Sequence, residues 1–146
     1  MELPLAEARA VISTMLHPTP LIPLALDGVD TPVLAKLETL QPTGSFKVRG
    51  ALSATSAYSR SGVRIVTASA GNHGLGIAYA ARRLGVPATV VVPESASPAK
   101  VDRLEAFDID LRRIGADYDA AETAAIEIAS AEGQFVSAYN DVAVVA

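Results

Sequence analysis

From residue 63 onward the chain alternates short apolar runs with stretches whose apolar positions recur every three or four residues. Residues 63–68 and 88–92 are apolar at most positions, as strands buried on both faces of a parallel sheet would be. Each is followed by a helical pattern. Residues 74–84 put Ile77, Ala80, Ala81 and Leu84 on one face, and Gly85 followed by Pro87 is a helix stop. Ser97 and Pro98 open a helix carrying Val101, Leu104 and Phe107. Residues 109–114 alternate, which predicts a strand nearer an edge. Asp119 with Glu122 resembles a capping box opening a helix that ends at Gly133, and residues 134–138 form a last strand. Strand–helix repetition of this kind implies right-handed βαβ units. The expected fold class is α/β, a parallel sheet between helical layers.

The first sixty residues are less regular. Residues 4–16 predict a helix with Pro4 in its first turn. Residues 17–24 hold Pro18, Pro20 and Pro23, which forbid a central strand and predict an extended arm or edge strand. Residues 33–38 alternate as a strand, a loop runs to Ser45, and residues 46–60 predict a helix. At the other end, residues 141–146 are an apolar run with no evident partner, cap or polar tail. That end is expected to be an interrupted one.

Composition narrows the function classes. The 146 residues are half hydrophobic and 19% charged, enough for one domain with a buried core. Twelve Lys and Arg against 16 Asp and Glu, with no basic cluster, argue against a nucleic-acid surface. No run is long enough to span a bilayer, and the start lacks a basic and apolar leader, so a cytoplasmic location is expected. Without cysteine there is no disulfide or thiolate chemistry. His17 and His73 lie far apart and in no metal-ligand spacing, so no metal is expected.

Candidate chemistry begins at Ser69-Ala70-Gly71-Asn72-His73-Gly74, a loop between a strand and a helix. In open α/β sheets ligands sit at the carboxyl ends of strands. Glycines 71, 74 and 76 let the backbone approach a ligand and present N–H groups at a helix start, which favours an anion such as a carboxylate or phosphate. A tight turn whose glycines serve only packing explains the loop equally well. A dinucleotide fingerprint is a third reading, with Glu94 as the ribose acid, but its G-x-G-x-x-G order differs from the order here. Taken alone, His73 is more often a hydrogen-bonded loop residue than a catalyst, and Asn72 more often a turn former.

Only three lysines occur. Lys100 is expected on a solvated helix face, and Lys36, on one strand face with Glu38, in a local ion pair or a half-exposed position. Lys47 follows a Gly-Ser turn and sits next to Phe46. Partial desolvation by the ring would favour the free amine, the form that attacks an aldehyde. Taken by itself, each lysine is still most simply a surface charge.

The segment from Lys36 to Ala51, with Gln41-Pro42-Thr43-Gly44-Ser45-Phe46-Lys47 at its centre, is followed by the Ser69–Gly74 loop. Together they resemble the fold-type II pyridoxal-phosphate enzymes, and within them the threonine/serine dehydratase and serine racemase branch. His17-Pro18-Thr19-Pro20-Leu21 resembles that branch's entry segment. The resemblance implies a three-layer α/β/α, tryptophan synthase beta-like fold. It implies pyridoxal phosphate as cofactor, with Lys47 as its imine-forming lysine, Phe46 against its ring and Asn72 on the ring's 3′ oxygen. Ser69, with the backbone of Ala70, Gly71, Asn72 and His73, would hold the substrate carboxylate. The implied reaction is dehydration and deamination of L-threonine or L-serine to a 2-oxo acid and ammonia, with Lys47 as base. Racemisation is the implied alternative.

Relatives of this kind also carry a later glycine-rich loop for the cofactor phosphate. The expected organisation is therefore an arm and lysine segment over residues 1–50, belonging partly to a large domain. A small α/β domain covers residues 51–146, and the large domain is incomplete. Expected partners are a small amino-acid substrate and either a second copy in a homo-oligomer or a complementing C-terminal half. A non-catalytic α/β module is the other expectation. At Asp108, where relatives commonly carry a Gly-Ala pair, a left-handed turn is expected.

Overall fold

The computed structural model describes residues 5–145. Pro4, placed above in the first helical turn, lies outside them. Helix α1 (Leu5–Met15) leads into strand β1 (Leu21–Leu24), which pairs antiparallel with β2 (Val33–Lys36). This proline-bearing hairpin is separate from the main sheet and mostly exposed, in keeping with the edge-strand expectation. The predicted strand over 33–38 stops at Lys36 because residues Glu38–Leu40 turn into one 3₁₀ turn. Helix α2 (Lys47–Ser59) follows.

The main sheet contains β3 (Arg64–Ala68), β4 (Ala88–Val92), β5 (Asp110–Arg113) and β6 (Gly133–Phe135), in the order β5-β4-β3-β6 and all parallel. Helices α3 (Asn72–Leu84), α4 (Pro98–Glu105) and α5 (Tyr118–Glu132) are the crossovers. β4 is buried at every residue, which explains why its sequence shows no alternation. Val66, Ala68 and Val91 pack under the alanine stripe Ala121, Ala125 and Ala129 of α5. On the opposite face Val90 and Val92 meet Leu75, Val101 and Leu104, while Ile65 joins α2 and α3 through Leu52 and Ile77. Helices therefore cover both faces, giving the three-layer arrangement.

Several boundaries differ from the expectations. α3 begins at Asn72, not Gly74, and its predicted stop holds: Gly85 is left-handed at φ 66° and returns its N–H to Ala81 O. α5 is capped by Asp117, whose side chain accepts from Ala120 N at 3.0 Å. Asp119 is already inside the helix, and Glu122 accepts instead from the Tyr118 hydroxyl. Phe107 lies past the end of α4, under the Arg82 guanidinium at 4.8 Å. The turn there needs no left-handed residue at Asp108, because Ile109 N reaches back to Phe107 O at 3.0 Å, and no non-glycine residue among those described has positive φ.

The apolar run after residue 140 has both a cap and a partner. Asp141 accepts from Ala143 N at 2.8 Å and opens helix α6 (Val142–Val145). α6 lies so close on α2 that a methyl on Gly50 would stand 2.3 Å from Val144 O. Among the described residues no helix is long and apolar enough to cross a membrane.

Candidate active site

The loop before Lys47 is shaped by buried polar side chains. Gln41, Thr43 and Ser45 point inward while Pro42, Gly44 and Phe46 stay exposed. Gly44, at φ 76°, supplies the left-handed turn, and its N–H returns to Gln41 O at 2.8 Å. The loop is tied to α2 by Glu38, which accepts two hydrogen bonds from the Arg49 guanidinium at 2.8 Å each and one from Thr19 Oγ1 at 2.6 Å. Arg49 beside it, supported by Thr19 and Gln41, holds the Glu38 carboxyl down at about 2. Lys36 is thus not the partner of Glu38: its ammonium donates to Thr19 O. Lys100 is exposed, as expected.

Lys47 opens α2. Beneath it Val48, Ala51 and Leu52 are fully buried. Gly76 of α3 comes close enough that a methyl there would meet Lys47 O at 3.2 Å and Ala51 Cβ at 3.1 Å. The lysine is half-buried. Its Nζ donates to Ala138 O at 2.9 Å and lies 5.5 Å from the centroids of both the Phe46 and Tyr139 rings. Both rings are largely open to solvent, Phe46 at 59% and Tyr139 at 71% exposure, so they flank the amine without enclosing it. The amine faces a cleft of about 460 Å³ walled by Ile12, Phe46, Gly50, Tyr139 and Val145.

The Ser69–Gly74 loop leaves β3 where the sheet order reverses, since β4 and β5 lie on one side of β3 and β6 on the other. Ser69 Oγ accepts from Gly71 N at 3.1 Å, and no side chain caps α3. The first N–H groups of α3 therefore have no intrahelical acceptor and carry the positive end of its dipole. The three glycines divide their roles. A methyl on Gly74 would stand 2.1 Å from Ser69 O, and Gly76 serves the contact with α2. A methyl on Gly71 would meet only Ser69 Oγ, at an ordinary 3.8 Å. The packing reading thus holds at Gly74 and Gly76, and Gly71 has no such role.

A second cleft of about 510 Å³ is walled by Ser69, Ala70, Gly71, Ser97, Lys100 and Tyr139, among others. It also reaches Asp117 and Tyr118, so the starts of α3, α4 and α5 all face it. Tyr139 borders both clefts and joins the Lys47 side to the Ser69 side. Asn72 is exposed and lines neither.

His73 is buried behind the loop. Its Nε2 donates to Val136 O at 3.3 Å, and its Nδ1 has no partner. Burial pushes the imidazole down to about 4, against the pull of that backbone hydrogen bond and with help from the nearby Lys47 charge. Near neutral pH it is uncharged, a donor rather than an acid.

Sequence reasoning did not single out Ala138 or Tyr139. The last strand expected over 134–138 stops at Phe135, which leaves both in the loop beyond the carboxyl edge of the sheet, and that position was their one signal.

Comparisons with known proteins bear on the family and the fold. The family model described as "pyridoxal-phosphate dependent enzyme" matches residues 12–146. An L-threonine ammonia-lyase of Geobacter sulfurreducens is 40% identical over 118 residues, which are 79% of this chain and 29% of that one. A human serine dehydratase-like protein is 43% identical over 103 residues, 70% of this chain and 31% of its own. The crystal structure of a pyridoxal 5'-phosphate-dependent aspartate racemase superposes with a TM-score of 0.85 at 31% identity, covering 96% of this chain and 46% of that one. The chain thus spans about a third of the length of these curated relatives.

Proposed function

This chain belongs to the pyridoxal-phosphate-dependent enzyme family, and from that premise we propose that it carries the lysine side of a threonine/serine ammonia-lyase site. One observation carries the reading: the Lys47 amine opens into a ring-sized cleft between two aromatic side chains. The residues present fit the aldehyde and ring of the cofactor, with Lys47 as its attachment point and Phe46 against the ring. Asn72, at the start of α3, would reach the ring's 3′ oxygen after turning inward. The phosphate is less well served. The guanidinium lining this cleft, Arg49, is already committed to Glu38.

Bound pyridoxal phosphate supplies an electron sink for charge developing at a substrate's α-carbon. The chain's own residues do the rest. Ser69, Ala70 and Gly71, with the open N–H groups of Asn72 and His73, would orient the substrate carboxylate at the positive end of α3. Lys47 Nζ would take the α-proton as general base. Loss of the β-hydroxyl as water, once it has gained a proton, would leave from L-threonine or L-serine a free enamine, which solvent water would hydrolyse to a 2-oxo acid and ammonia.

Racemisation is the second reading, favoured by the likeness to the aspartate racemase structure. It needs a proton donor on the opposite face, and Tyr139 is the hydroxyl that borders the Lys47 cleft. In either case residues 1–50 would act as the arm and lysine segment, residues 51–146 as the small domain, and a C-terminal half or second copy would complete the site. The cytoplasm is the proposed setting.

The test is addition of pyridoxal phosphate to the purified chain, borohydride reduction and peptide mapping of Lys36, Lys47 and Lys100. Lys47 should take at least about ten times the label of either other lysine, a preference of about 1.4 kcal/mol. Equal labelling of the three would make the chain a non-catalytic module.

A further inference from the structure

We propose that Thr67 and His73 are positioning residues for the Lys47 amine, acting through the Val136 carbonyl. The inference rests on the reading of Lys47 as the reactive amine, and its evidence lies in how β6 ends.

The β3–β6 ladder closes at Val66 and Phe135, and Val136 N still donates to Val66 O at 2.8 Å. There the strand stops. The Val136 carbonyl accepts instead from two side chains, Thr67 Oγ1 of β3 at 2.8 Å and His73 Nε2 of α3 at 3.3 Å. All three residues are buried. Two residues further on, Ala138 O accepts from Lys47 Nζ at 2.9 Å, and the next ring, Tyr139, stands 5.5 Å from the same nitrogen. The fixed carbonyl thus sits at the base of the short segment that supplies the amine with its acceptor and one of its two aromatic walls.

A purely structural role would require only that the buried carbonyl be satisfied, and Thr67 alone does that. The second donor comes at a cost, because the His73 ring is 97% buried with its Nδ1 unpartnered. A buried imidazole committed on one side to a single carbonyl is an arrangement for holding that carbonyl in one place. Fixing it from two elements, β3 and α3, also links the lysine acceptor to the loop that carries Ser69.

The experiment compares Thr67→Val, which removes the hydroxyl at constant shape, with Thr67→Ser, which keeps it. His73→Leu and His73→Gln form a second pair in case the first apolar variant does not fold. Two readouts are taken on folded protein. One is the share of trace acetic anhydride captured by Lys47 relative to Lys36 and Lys100, without cofactor. The other is the share of borohydride-trapped pyridoxal phosphate at Lys47. Loss of one hydrogen bond of ordinary worth should change both shares by about two- to tenfold in the apolar variants, with the trapped cofactor falling. The Ser and Gln variants should stay within about twofold of the parent. Unchanged shares in a folded apolar variant, or equal change in its polar counterpart, overturn the proposal. Failure of the parent chain to label Lys47 with the cofactor would instead overturn the reading of Lys47, and the acetylation ratio would still judge this one.

Discussion

Two side chains beside the candidate site resist protonation, and they do so in separate pH ranges. Folded His73 titrates at about 4 against an ordinary 6.5, so below pH 6.5 the unfolded chain takes up the proton first. Its contribution is complete above pH 6.5, falls as the pH drops towards 4, and is flat below. The shift is worth at most about 3 kcal/mol. Glu38 titrates at about 2 against an ordinary 4.5, so its contribution is complete above pH 4.5 and is lost as the pH falls towards 2. After screening by the solvent that reaches the Glu38–Arg49 pair, about 1–2 kcal/mol is expected. Urea denaturation from pH 7 to 2.5 should therefore show two declines, with His73→Gln flattening the upper one and Glu38→Gln the lower. A parent stability that is level between pH 6.5 and 4.5 would contradict the buried, neutral His73. At this scale the sequence singled out Lys47 and the Ser69–Gly74 loop as candidates but not what they touch. Ala138 lies 91 positions from Lys47, and Glu38 reaches past Lys36 to Arg49, so no local spacing could have paired them.

Between elements, the decisive contacts are backbone approaches at glycines. α3 starts against the Ser69 carbonyl through Gly74 and lies against α2 through Gly76, and so sets the loop and the lysine on one rigid pair of helices. Gly74→Ala would force a methyl to 2.1 Å from backbone that has nowhere to go, and a loss of about 3 kcal/mol is expected by chemical denaturation. Gly76→Ala meets contacts of 3.1 and 3.2 Å, which α2 can relieve by moving a few tenths of an ångström. Better helix propensity offsets part of that strain, so its net change should stay within about 1 kcal/mol. Equal losses at the two positions would mean that the loop, not the helix pair, absorbs the strain. Elements of this sheet were legible because their signals are local: a strand apolar on both faces, a Gly-Pro stop, glycines at a strand-to-helix turn. The cap of α5 was displaced by two residues because Asp117 and Asp119 are equivalent in composition, and only the chain direction after Gly115 selects Asp117. The cover over the last apolar run was illegible, since it depends on Gly50 admitting the α6 backbone from more than ninety residues away.

Across the whole molecule, among the described residues, exposed large apolar side chains gather most closely in two places. Leu21, Leu24 and Leu34 lie on the hairpin, and Phe46, Tyr139 and Val145 surround the lysine cleft. Apolar surface around a binding cleft marks a face that another segment or molecule covers. The same cleft holds an amine and aromatic walls but has its guanidinium engaged, so under the proposal of a complementing half the cofactor phosphate is held from outside this chain. Pyridoxal and pyridoxal phosphate should then attach to Lys47 with constants within about threefold of each other. A phosphate held by even one charged hydrogen bond, worth about 1.5–3 kcal/mol, would separate them by more than about tenfold. Absorbance titration of the lysine-bound cofactor with each aldehyde, in the parent and in Lys47→Ala, makes the comparison. Near-equal constants would direct the search to the protein segment that brings the phosphate site to this face. A strong preference for the phosphorylated form by the chain alone would mean that its own residues, Arg49 released from Glu38 foremost, already build that site.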